Sequence, residues 1–159
     1  MNLALCYNEA IFCNNNKEYQ IVILHNFDLH YYTGYVGVTK DHEMYGIQYD
    51  NKIDKIDSSP ESFIKVYRGL TYSGNLDNRY TNKSMWFFGF DTFHRITYTD
   101  KWLIGNMIHQ QDMYSTLQPD YELIMAQVLD ECNSLMKQLQ LIDQHGLAKY
   151  YRYIYNNED

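Results

Sequence analysis

Asp91-Thr92-Phe93-His94 stands directly after the most apolar run of the chain, Met85 to Phe90. An aspartate and a histidine at the end of a buried strand can act as an acid/base pair, because the carboxylate fixes the imidazole tautomer and raises its basicity. The same two side chains can give a metal two ligands. They can equally serve structure, Asp91 capping a turn and His94 closing a local hydrogen bond, and for so short a motif that plainer role is the commoner one. The other histidines, His25, His30, His42, His109 and His145, have no tight spacing to one another or to a cysteine. No dinucleotide fingerprint, phosphate loop, nucleophile elbow or H-E-x-x-H pattern occurs. No serine or cysteine nucleophile has an evident base partner. Neither a cofactor nor a metal is expected, and the case for an enzyme rests on Asp91 and His94 alone.

Binding has broader support. Arg68, Thr71, Tyr72 and Ser73 surround Gly69 at the end of a predicted strand. An arginine can clamp a phosphate or carboxylate through two N–H groups, and backbone N–H groups at a glycine turn can form an anion nest. Trp86, Phe87 and Tyr35 offer flat surfaces on which a base can stack. Alternation along Trp86 to Phe90 places neighbours on opposite faces, so these rings cannot all line one pocket. Any one of them taken singly is more often core.

The elements that must position these groups follow from hydrophobic period. Tyr19 to Leu24 is β-branched and reads as a buried strand. His30 to Val38 reads as a second strand, with Gly34 and Gly37 marking a bend or bulge. Asp41 to Gly46 is a turn. Asp50 to Glu61 carries Pro60 and reads as a loop or short capped helix. Ser62 to Tyr67 alternates and reads as a third strand, Ser73 to Ser84 is turn-rich, and Met85 to Phe90 is a fourth strand. From Tyr121 to Ile142 apolar residues recur every three or four positions, the stripe of an amphipathic helix. Pro119 suits its start and Gly146 its end. Tyr150 to Tyr155 reads as an edge strand or packed tail. The expected fold is therefore α+β: a single domain over 1–159, sheet-rich from 17 to 100, in which a small, mainly antiparallel sheet is covered by a long C-terminal helix at about 119–145.

Composition narrows the partners. The chain has 159 residues, 13 Lys and Arg against 20 Asp and Glu, and a formal charge of −7. With no Lys/Arg run, general nucleic-acid binding is not expected. A basic protein is the better electrostatic match. The 17 tyrosines suit an adhesive surface, although Asn, Ile, Lys and Tyr are also the residues of AT-rich codons. Cys6, Cys13 and Cys132 are odd in number and irregular in spacing, which argues against a disulfide framework, and Cys132 falls on the apolar stripe. Met1 to Phe12 lacks the basic start of a signal peptide, and no apolar run reaches a membrane span. A reducing cytoplasm is expected, with no membrane contact. A homo-oligomer using the exposed side of the helix is a third, structural reading.

Four blocks recur in one order: Gly34-Tyr35-Val36-Gly37-Val38, His42-Glu43-Met44-Tyr45-Gly46, Arg68-Gly69-Leu70-Thr71-Tyr72-Ser73-Gly74 and Trp86-Phe87-Phe88-Gly89-Phe90-Asp91-Thr92-Phe93-His94. This series resembles a family of small proteins encoded by bacteriophages and prophages, over about residues 34 to 94 and, loosely, the helix. Arg68 stands where that family usually has glycine, Thr92 where it has cysteine, and Arg95-Ile96 follows the histidine where Gly-Asp is common. A metal or acid/base role that needs the missing groups is weakened accordingly. The resemblance implies a host-directed accessory protein. Its expected role is to counter antiviral defence without catalysis, by binding a host defence protein or sequestering a nucleotide-type signal. The binding candidates are Tyr35, Arg68, Thr71, Tyr72, Ser73 and Trp86. The alternative is a small hydrolase or nucleotide-cleaving enzyme centred on Asp91 and His94.

Overall fold

Alternating apolar residues on Glu18–Asn26 (β2), Tyr31–Val38 (β3) and Trp86–Asp91 (β5) build the centre of an antiparallel sheet. A computed structural model describes residues 3–12, 18–26, 31–77, 81–92 and 110–156, with side chains described for 18–26, 31–77, 81–92 and 125–156. Two further strands, Leu3–Phe12 (β1) and Tyr72–Gly74 (β4), complete the order β1-β2-β3-β5-β4. Neither was expected from the sequence. The fold class is α+β, as its periodicity implied.

The sheet buries both faces. On one, Tyr19, Ile21, Ile23, Val36, Val38, Phe88 and Phe90 meet Val128, Cys132, Leu135, Leu139 and Ile142 of the long helix α2 (Gln110–His145). These helix residues repeat at intervals of four and three, so they form one stripe. Each such side chain, fully buried, contributes about 1.5–3 kcal/mol before entropic costs. Burial also pushes the Cys132 thiol up to about 12, which leaves it protonated and inert. On the opposite face Val22, Leu24, Tyr35, Leu76, Met85 and Phe87 form a second, smaller cluster.

Gly34 and Gly37 make no bulge. The register runs unbroken from Gln20↔Gly37 to Asn26↔Tyr31 and from Thr33↔Asp91 to Val38↔Trp86. Their function is space. A methyl on Gly34 would lie 2.8 Å from Phe90 Cζ, and one on Gly37 would lie 2.8 Å from Phe87 Cζ. Gly89 stands likewise beneath the Tyr35 ring. In each pair an aromatic ring lies across the bare backbone of the neighbouring strand, a packing that a Cβ would forbid.

Other expectations are corrected by hydrogen bonding. Ser62 to Tyr67 is not a strand. Pro60–Phe63 is a short helix (α1), with proline in its first turn. The extended residues after it bond to side chains of α2: Gln138 accepts from Lys65 N at 2.8 Å and donates to Lys65 O at 2.7 Å, and Glu131 accepts from Tyr67 N at 2.7 Å. The helix does not begin at Pro119. It begins at Gln110 and runs through the proline, which forfeits one backbone bond without preventing helix before it. Tyr150 to Tyr155 belongs to a last helix, α3 (Leu147–Asn156). Gly146 ends α2 at φ +89°, and Leu147, Tyr150, Tyr151 and Ile154 then share one face.

The block from His42 to Gly46 clamps this assembly. His42 Nε2 donates to Leu139 O at 2.8 Å while Nδ1 accepts from Met44 N at 3.0 Å, an arrangement that assigns the neutral ring with its proton on Nε2. Tyr45 donates to Ser84 O, and Glu43 accepts from Lys55 and from Leu147 N, the first residue of α3. Burial works to raise the Glu43 carboxyl, but Lys55 and the Leu147 N–H together hold it below the usual carboxylate range. A carboxyl lowered on folding stabilises above its unfolded pKa, and that stabilisation is lost as pH falls through the folded value. Glu43→Gln should therefore be less stable than the parent near neutrality, and the difference should shrink in acid. Denaturant melts of both proteins across pH 3–7 check this.

Candidate functional site

The sheet register brings four of the expected residues together. Tyr35 pairs with Gly89, and Gly89 with Tyr72, so the three lie in one row on the face opposite α2. Gly89 has no side chain, and the rings of Tyr35 and Tyr72 meet above it at 5.4 Å and 83°, edge to face. The adjacent row pairs Thr33 with Asp91. Thr71, anchored by its N–H on Gly89 O at 2.9 Å, reaches Asp91 Oδ2 with its hydroxyl at 3.4 Å.

The environment of these groups sets their chemistry. Burial pushes the Tyr35 phenol up to about 12, Thr33 offsets part of the rise, and Tyr72, Tyr31 and Asp91 add to it. Burial likewise raises Tyr72, whose hydroxyl donates to Asn75 O. Both phenols therefore stay neutral at ordinary pH and act as hydrogen-bonding groups rather than as bases. Thr33 Oγ1 is buried near the Tyr35 hydroxyl, yet no bond of normal length and angle joins them. Asp91 is half-buried and supplies the formal charge of the cluster. None of the five strands contains a lysine or arginine. The assembled surface is an acceptor carboxylate framed by aromatic rings and hydroxyls, suited to a cationic group.

The remaining candidates stand elsewhere. Ser73 and Trp86 face the α2 side and are engaged in packing the 47–49 segment: Ser73 Oγ accepts from Tyr49 N and Trp86 Nε1 donates to Ile47 O, both at 2.9 Å. Arg68 is exposed beyond the sheet edge, with its Cζ 6.0 Å from the centre of the Tyr67 ring. The turn that carries it is not an open nest, since Gly69 N bonds Val66 O and Thr71 N bonds Gly89 O. Arg68 has φ +58°, a left-handed conformation that costs a residue with a Cβ about 1–2 kcal/mol. His94 lies outside the described residues, so the acid/base pair with Asp91 has no described geometry. Two members of the cluster, Tyr31 and Thr33, were not expected. The signal was present, because Tyr31, Thr33 and Tyr35 alternate on one strand and must share a face.

Among the described residues no group of three His, Cys, Asp or Glu side chains could hold a metal ion, and no helix is long and apolar enough to cross a membrane. Comparison of the chain with protein-family models, with curated proteins and with solved structures finds no match.

Proposed function

We propose that this chain is a non-enzymatic bacteriophage or prophage accessory protein that counters host antiviral defence in the bacterial cytoplasm by binding a basic defence protein. The observation that carries the reading is the cluster of Asp91, Thr71, Tyr35 and Tyr72 on a sheet without a lysine or arginine. Such a surface favours a partner's arginine or lysine over a phosphate. The net charge of −7 extends the same preference to long range. The order of the four glycine and aromatic blocks supports the phage assignment.

The test is a tagged capture from host lysate, with native mass spectrometry of the eluate. A stoichiometric basic protein that dissociates with rising salt is the expected result. Asp91→Asn should weaken that complex by about tenfold or more, the loss expected when a charged hydrogen-bond acceptor becomes neutral. A complex indifferent to salt and to Asp91→Asn would remove this face from the interface. Nucleotide turnover abolished by Asp91→Asn would instead establish the hydrolase reading.

A further inference from the structure

β1 ends the sheet on one side, and among the described residues no strand pairs with its outer edge. Which of its backbone groups turn outward follows from the hydrogen bonds at the end of β5. Thr92 N donates to Tyr32 O at 2.9 Å, and Tyr32 N donates to Thr92 Oγ1 at 3.0 Å, so Tyr32 turns its peptide groups toward β5. Peptide groups alternate in direction along a strand, so Thr33, Tyr35 and Gly37 turn theirs toward β2. Their register partners Leu24, Val22 and Gln20 return those bonds, which leaves Tyr19, Ile21 and Ile23 to bond β1. The residues opposite these are Ile11, Glu9 and Tyr7. Asn8, Ala10 and Phe12 therefore point their N–H and C=O groups away from the sheet.

An open edge invites a further strand, and natural sheets usually blunt it. The other edge is blunted: β4 has only three residues, and its Ser73 hydroxyl is bonded by Tyr49 N and Gln48. β1 has ten residues, well above the common strand length, and no lysine, arginine or proline. Its bulge at Cys6 interrupts the edge only before Tyr7. Charge indicates what this edge meets. β1 carries one charged residue, Glu9, in a chain of net charge −7. A nearly neutral edge on an acidic chain lets a second copy approach with little local repulsion, and it offers a basic partner only one carboxylate.

We propose that β1 pairs antiparallel with β1 of a second copy about a twofold axis at Ala10, joining the two sheets into one. Ala10 exchanges bonds with the partner's Ala10, and Asn8 and Phe12 exchange theirs with the partner's Phe12 and the partner's Asn8. This register uses every outward group from Asn8 to Phe12, and it sets Glu9 opposite the partner's Ile11. An axis at Glu9 would set Glu9 opposite the partner's Glu9, a like-charge pair, and would bring Phe12 against the partner's bulge. An axis at Ile11 would leave Asn8 beyond the end of the partner's strand. A twofold interface needs one self-complementary strand, and this register supplies it. The dimer is independent of the protein-binding reading. The order β1-β2-β3-β5-β4 places Asp91, Tyr35 and Tyr72 toward the other edge, so pairing through β1 does not use that cluster.

The experiment is amide hydrogen exchange of the full chain, read by NMR over a dilution series, with sedimentation equilibrium on the same samples. A dimer is expected. The amides of Asn8, Ala10 and Phe12 should exchange slowly in the dimer and fast in the monomer, while those of Glu9 and Ile11 stay slow in both. Added salt should tighten the dimer, because it screens two acidic chains from each other. A complex with a basic protein responds to salt in the opposite direction. Ala10→Pro deletes a donor that β2 does not use, so the variant should fold, with Glu9 and Ile11 still slow. Its dimer dissociation constant should rise about 30-fold or more, since each copy loses a donor and leaves an acceptor unpaired. A monomer at millimolar concentration would overturn the proposal. So would a dimer in which the three outward amides exchange fast, outward amides that are slow in the monomer, or an Ala10→Pro chain that dimerises like the parent. Loss of folding in Ala10→Pro would show that β2 uses that donor, and would overturn it as well.

Discussion

Gly89→Ala is expected to destabilise the protein by about 3 kcal/mol, the upper end of what one added methyl costs in a filled interior. The new Cβ would lie 2.8 Å from Tyr35 Cε2 and 2.9 Å from Gly34 O. The ring can swing, but the carbonyl belongs to the neighbouring strand and can move only with the sheet. For a chain of this length the loss corresponds to a melting temperature lower by roughly 10 °C. Tyr35→Ala removes the ring and leaves the carbonyl. Gly89→Ala should therefore cost less in the Tyr35→Ala background than in the parent, and still cost something. Denaturant unfolding of the four proteins of this double-mutant cycle gives the coupling directly. Equal costs in both backgrounds would show that the ring does not pack over Gly89.

His42→Ala should cost about 3 kcal/mol as well, by the opposite mechanism. It removes a side chain that is only 3 % exposed and stacked edge-on against Tyr19, and it leaves the Met44 N–H without its acceptor. Two further substitutions separate the terms. Asparagine can place an oxygen near the position of Nδ1 and keep the bond from Met44. Glutamine can place a donor near the position of Nε2 and keep the bond to Leu139. The Leu139 carbonyl also has the Tyr19 hydroxyl at 3.5 Å, whereas the Met44 N–H would be orphaned. Stability should therefore fall in the order His, Asn, Gln, Ala, measured by the same unfolding curves. Glutamine milder than asparagine would mean that the bond to the helix dominates.

The central strands were legible because β-branched and aromatic residues alternate there without interruption, as in Gln20-Ile21-Val22-Ile23-Leu24 and Trp86-Phe87-Phe88. β1 was not: its register against β2 shifts between Leu5 and Tyr7, and an extra residue interrupts the period of two by which a strand is read from sequence. β4 has three residues, too few to show a period. Lys65 to Tyr67 resembles a strand in composition and lacks only a strand to pair with; side chains of α2 take that place, bonding Lys65 and Tyr67. In α3 the tyrosines suggested β-structure, and the spacing of Leu147, Tyr150, Tyr151 and Ile154 outweighs that propensity once Glu43 holds the first turn. The members of the polar cluster were recognisable singly as Tyr35, Thr71, Tyr72 and Asp91. Their meeting depends on the pairings of Thr33 with Asp91 and of Gly89 with both tyrosines, and a register between distant strands has no local signature.

The glycine and aromatic pairs also constrain how such a sheet can change over generations. Gly34 with Phe90, Gly37 with Phe87 and Gly89 with Tyr35 each behave as one character written in two places. If the glycine gains a side chain first, the intermediate is over-packed; if the ring shrinks first, the intermediate carries a void. Either first step lowers fitness when stability is marginal, and the second step recovers the part of the loss that belongs to the pair. Lineages that keep this sheet should therefore hold both members of a pair or exchange both.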